Sequence, residues 1–176
     1  MEWINEFDRR MRDFGDRHLG APDEFPVSIK VRVDNGCYDR GCCPAAWKII
    51  DRELESLRRA GETKFRFEKH ESGPEILAYV GGAVGLAAGV VSLVTAIIQA
   101  RAEGRKKGDR HSDPVTLVVR RMETRDQLLE ERVMTFSGHE EVTPAMVEAL
   151  LSKGIKEIAP KQEKKPKAKK SPKKNA

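Results

Sequence analysis

Residues Ile76–Ile98 read ILAYVGGAVGLAAGVVSLVTAII, twenty-three positions without a charged side chain. As a helix rising about 1.5 Å per residue, this run extends roughly 34 Å, close to the ~30 Å hydrocarbon thickness of a bilayer. Gly81, Gly85 and Gly89 recur every fourth position. On a helix they form one stripe, where the absence of Cβ atoms lets a second helix approach closely. Ser92, Thr95 and the Tyr79 hydroxyl are its polar groups. The run therefore predicts a transmembrane helix that self-associates through Gly81, Gly85 and Gly89. A helix buried in a soluble core or an oligomer is the competing reading, because the frequent glycine and alanine lower its hydropathy.

On the amino-terminal side, Trp3, Phe7, Met11 and Phe14 fall at helical spacing among charged residues and predict an amphipathic helix. Val27, Ile29, Val31 and Val33 alternate with Ser28, Lys30 and Arg32, the period of a strand with one buried face. Pro44 opens a helix bearing Trp47, Ile50, Leu54 and Leu57 on one side, and Gly61 stands at its expected C-cap. Phe65 and Phe67 mark a second strand, and Ser72–Gly73–Pro74 breaks the chain before the apolar run.

On the carboxyl-terminal side, Gly104–Pro114 is a polar connector. Val115, Leu117 and Val119 predict a third strand and Arg132–Phe136 a fourth, with Glu123–Glu131 as the loop or turn between them. Thr143–Pro144 starts a helix with Met146, Leu150 and Leu151 on its apolar side, ending at Gly154. The expected fold is α+β: a small sheet of about four strands with covering helices, interrupted by one long apolar helix and followed by a disordered basic tail. The corresponding segments are 1–75, 76–99, 100–159 and 160–176.

Two strands on each side of a membrane span are marginal units. One four-stranded sheet drawn from both sides is sturdier, but it requires both ends of the apolar run to lie on the same side. The basic flank Arg101, Arg105, Lys106, Lys107 and Arg110 predicts a cytoplasmic carboxyl-terminal side. That conflicts with exporting a segment that opens without a signal peptide and carries Cys37, Cys42 and Cys43, an odd cysteine set suited to a reducing compartment.

The net charge of +5 is unevenly distributed. Residues 161–176 carry eight lysines and one glutamate, a local charge of +7, which leaves −2 on residues 1–160. Lys164, Lys165, Lys167, Lys169, Lys170, Lys173 and Lys174 are the candidate contacts to a polyanion. Without interleaved aromatics to stack on bases, nucleic-acid binding by this tail would be non-specific and salt-sensitive.

No catalytic set, cofactor site or metal site is expected. Cys37-x4-Cys42–Cys43 with a distant His70 fits no usual zinc spacing. His18, His70, His111 and His139 are scattered, and Gly81–Gly85 lacks the Lys-Ser/Thr ending of a phosphate loop.

The strand Val27–Val33, helix Pro44–Ala60, strand Lys64–Glu68, apolar helix Ile76–Ile98, basic connector and strands ending at Arg121 and Gly138 together resemble the effector-associated constant components. These are small bacterial proteins of conflict and immunity systems. The resemblance implies a non-enzymatic adaptor or scaffold, membrane-associated with its soluble parts cytoplasmic. It implies company with an effector such as a protease encoded nearby, while the glycine stripe and the apolar run predict a homo-oligomer in contact with membrane lipid. The alternative is a soluble protein that binds nucleic acid or another polyanion through the lysine tail.

Overall fold

The computed structural model describes residues 2–18, 20–62, 64–81, 85–110, 113–125 and 127–160. Its elements are α1 (Glu2–Arg17), β1 (Glu24–Arg32), α2 (Pro44–Arg59), β2 (Phe65–Glu68), β3 (Glu75–Gly81), α3 (Ala88–Lys106), β4 (Val115–Thr124), β5 (Gln127–Phe136) and α4 (Pro144–Ile158). The strands form one sheet in the order β2-β3-β1-β4-β5, and every pairing is antiparallel. β1 lies at the centre: Ser28 pairs with Leu77 on one side and with Arg120 on the other.

Two apolar layers cover this sheet. Val27, Ile29, Val31 and Val33 meet Trp47 and Ile50 of α2, Leu93 and Ile97 of α3, and Val147 and Leu151 of α4 in one core. On the opposite face, Phe7, Met11 and Phe14 of α1 pack with Leu77, Tyr79, Met122 and Leu128. The spacing of Phe7, Met11 and Phe14 gives α1 its buried stripe, as the sequence predicts, whereas Trp3 stays 51% exposed.

The apolar run is not one helix. Ile76–Gly81 belongs to β3, the chain turns at Gly85 with φ +67°, and α3 begins only at Ala88. β3 is covered on both faces, so its side chains are apolar without alternation, a pattern that periodicity cannot separate from a buried helix. The left-handed backbone at Gly85 favours a residue without Cβ, and Gly85 bridges back to Gly81.

Among the described residues no helix is long and apolar enough to cross a membrane. This overturns the long-helix element of the expected fold, the membrane-anchored adaptor reading, and the membrane-associated placement that rested on it. The sheet also has five strands rather than about four. The stripe is not formed, because Gly81 lies in β3, Gly85 in the turn and Gly89 in the first turn of α3.

Close approach does occur, within the chain. A Cβ on Gly89 would lie 3.2 Å from Leu57 Cδ2, and one on Gly104 would lie 2.9 Å from Ala46 Cβ, both where α3 crosses α2. Gly154 does not end α4. It faces the sheet, where a Cβ would meet Val133 Cγ2 at 2.5 Å, and the helix continues to Ile158. The charged stretch Glu123–Glu131 is mostly strand, with Arg120 Nε donating to Glu130 Oε2 across the β4–β5 pair at 2.7 Å.

Candidate functional site

The side chains with unusual environments fall into two groups, one on each face of the sheet. On the α1 face, the β2–β3 register sets Glu68 directly opposite Glu75. Like charges opposed across strands repel each other, and the Glu75 side chain is fully buried. Cations and donors offset this. Arg10 Nη1, reaching down from α1, lies 3.0 Å from Glu75 Oε2 and also contacts Glu68 Oε2. His70 Nε2 lies 3.0 Å from Glu75 Oε2 and 3.3 Å from Glu68 Oε2, and Ser28 Oγ donates to Glu75 Oε1.

Burial pushes the Glu75 carboxyl up, but the hydrogen bond from His70, the Arg10 charge, Ser28 and Lys30 outweigh it and hold the group well below its ordinary range. Glu68 is lowered by the same contest between burial and its His70 and Arg10 partners. His70 is raised by its hydrogen bonds to Glu68 and then Glu75. Lys30 is lowered, chiefly by burial. One donor atom each from Glu68, His70 and Glu75 lie within 4.8 Å of one another, a set that suits a cation. The Arg10 guanidinium is the cation that meets both carboxylates, with the His70 ring beside it, so the group fastens α1 to the β2–β3 hairpin.

On the opposite face, the β1–α2 connection brings three sulfurs together. Cys37 and Cys42 form a disulfide with Cα atoms 6.2 Å apart. Asp39 Oδ1 shapes the loop between them by accepting from Gly41 N at 2.7 Å and Cys42 N at 3.0 Å. Cys43, buried and unbonded, occupies the N-cap of α2, with its Sγ 3.4 Å from Cys42 Sγ. Arg101 of α3 donates from Nη1 to Cys43 Sγ at 2.7 Å and to the Cys37 carbonyl at 3.0 Å, and its guanidinium lies over the Tyr38 ring. Burial pushes the Cys43 thiol up, while the Arg101 charge works against that rise. Asp109, from the connector after α3, accepts from Ala45 N and Ala46 N at 3.0 and 2.9 Å and so satisfies donors at the start of α2.

A cavity of about 260 Å³ adjoins Arg101 between α3 and the β5–α4 connection. Its lining mixes Arg105 and Lys106 with Glu103 and Glu140, so it selects no charge class.

The sequence presents Cys37, Cys42 and Cys43 as an odd set suited to a reducing compartment, whereas the structure pairs two of them. His18 stacks on Phe14, and His70 joins the carboxylates rather than the cysteines. His111 and Lys164, Lys165, Lys167, Lys169, Lys170, Lys173 and Lys174 lie outside the described residues. Arg10, Glu75 and Arg101 were missed. The signal for Arg101 is its place four residues beyond Ile97, on the buried side of α3. The signal for the carboxylates is the Ser72–Gly73–Pro74 break, about which Glu68 and Glu75 become opposed.

No family model, curated protein or solved structure matches the chain. The element order that resembles the effector-associated constant components included an unbroken helix over Ile76–Ile98, which the structure replaces with β3, a turn and α3.

Proposed function

We propose that this chain is a non-enzymatic nucleic-acid-binding protein whose folded α+β body carries a lysine tail as its contact element. The observation that supports it is charge segregation: +7 lies on residues 161–176 against −2 on the remainder. Within the body, Arg10, Arg32, Arg66 and Arg120 are engaged by carboxylates of neighbouring elements, which leaves those cations committed to the fold. Contact is through phosphates rather than base edges, hence without sequence preference.

The test is fluorescence anisotropy with a labelled oligothymidylate over a series of salt concentrations. The seven candidate lysines on seven phosphates give a log–log salt slope of about −4.9 for a single strand. Replacing all seven by glutamine removes binding and flattens that slope. An unchanged slope, or capture by anionic vesicles but not by the oligonucleotide, would refute the nucleic-acid reading.

A further inference from the structure

Arg101 is 4% exposed, yet among the described residues its guanidinium hydrogen-bonds only through Nη1, and its buried Nε and Nη2 have no partner there. A guanidinium does not shed its proton in a protein, and a buried charge requires a counter-charge or full hydrogen bonding. Of its two hydrogen-bond acceptors, the Cys37 carbonyl and Cys43 Sγ, only the sulfur can become an anion. Arg101 therefore works towards the thiolate of Cys43, against the burial that holds most of it as the thiol. That sulfur is also in contact with Cys42 Sγ, at 3.4 Å, and Cys42 is half of the Cys37–Cys42 disulfide. A thiolate touching a disulfide sulfur is the starting arrangement for exchange.

We propose that Cys37, Cys42 and Cys43 form a thiol–disulfide exchange site. The Cys43 thiolate attacks Cys42 Sγ, a Cys42–Cys43 bond forms as the Cys37–Cys42 bond breaks, and Cys37 leaves with the electron pair as a thiolate. The step balances without an outside oxidant. Cys43 is buried whereas Cys37 is partly exposed, so the exchange carries the nucleophile from the interior to the surface. There Cys37 attacks the disulfide of a partner molecule, giving a mixed disulfide and releasing the partner's other sulfur as a thiolate. Arg101 is the positioning residue, because the same Nη1 holds Cys43 Sγ and the Cys37 carbonyl. The new bond spans a single peptide unit and is the less stable one, so Cys37 is free in a minor state that a trapping reagent drains.

The experiment uses the folded full chain with its disulfide formed, treated with iodoacetamide at pH 8 and mapped by mass spectrometry without reduction. The expected product carries the label on Cys37 together with a Cys42–Cys43 cross-link. Cys43→Ser leaves Cys37 unlabelled and its bond to Cys42 intact. Arg101→Met slows Cys37 labelling about tenfold, because the Cys43 thiolate loses the cation beside it. Oxidised glutathione in place of iodoacetamide gives glutathionylated Cys37. Label on Cys43 with the Cys37–Cys42 bond retained, or equal labelling of Cys37 in the parent chain and in Cys43→Ser, would overturn the proposal. That comparison stands even if Arg101→Met fails to fold.

Discussion

Replacing Arg10 by methionine tests what holds α1 against the sheet. The change keeps a long apolar stem but removes the guanidinium from between Glu68 and Glu75, leaving His70 and Lys30 as the remaining nearby cations. Breaking a buried ion pair costs about 3–5 kcal/mol, because the surviving charge stays desolvated. The Arg10 side chain is 18% exposed and two cations remain, which places the loss near the lower end, about 3 kcal/mol. For a body of this size that lowers Tm by roughly 6–12 °C.

The deficit depends on pH in a definite direction. Glu75 and Glu68 are held below their ordinary 4.5, so their stabilising contribution is present above 4.5 and is lost as pH falls through the lowered values. His70 is raised above 6.5, so its contribution is present below 6.5 and is lost as pH rises through the raised value. Without Arg10 the carboxyls protonate more readily in the native state, and the variant's deficit shrinks between pH 7 and pH 3. Urea unfolding followed by tryptophan fluorescence reports both regions, since Trp3 lies in α1 and Trp47 in the main core. A loss below about 1 kcal/mol at pH 7, the range of a surface pair, would refute the reasoning. So would a deficit that does not change with pH.

Leu93→Ala empties a fully buried site in α3 and costs about 2–5 kcal/mol, read as a lowered urea midpoint; an unchanged midpoint would show that α3 is not core. Gly104→Val places a Cβ 2.1 Å from Asp109 Oδ2 and 2.9 Å from Ala46 N. It drives Asp109 from the start of α2 and costs about 1–3 kcal/mol by overpacking, visible as a lower Tm. Tyr38→Phe removes the 2.6 Å hydrogen bond to the Ile97 carbonyl and costs about 1 kcal/mol, measurable in the same denaturation assay.

Much of the sheet was legible because β1 alternates on the scale of a strand, and because Thr143–Pro144 and Pro44 mark helix starts chemically. Thr143 does accept from Met146 N at 3.2 Å. The apolar run misled for a physical reason. Ile76, Leu77, Ala78 and Val80 are buried, and so are Val90, Val91, Leu93 and Val94, while the less buried Ala88, Ser92 and Ala96 of α3 carry small uncharged side chains, so neither period shows. Only the glycines between them announced a turn, and their regular spacing imitated a helix stripe. Gly154 misled in the opposite sense, because a glycine needed for close packing against Val133 resembles a terminator. The carboxylate group was illegible for another reason: Glu68 and Glu75 become partners only once β2 and β3 are in register, and Arg10 arrives from an element that precedes both.

The central position of β1 shapes how the molecule comes into being. Both strands that flank it, β3 and β4, are encoded downstream. A nascent chain therefore carries β1 with two open edges, first until β3 emerges and then until β4 does. Its apolar side chains and unpaired amides meanwhile depend on shielding by α1, α2 or a chaperone. Such long-range strand pairing slows folding towards milliseconds or seconds. A ribosome paused between β3 and β4 would display half a sheet, with the β4-facing edge of β1 open to any other unfinished copy.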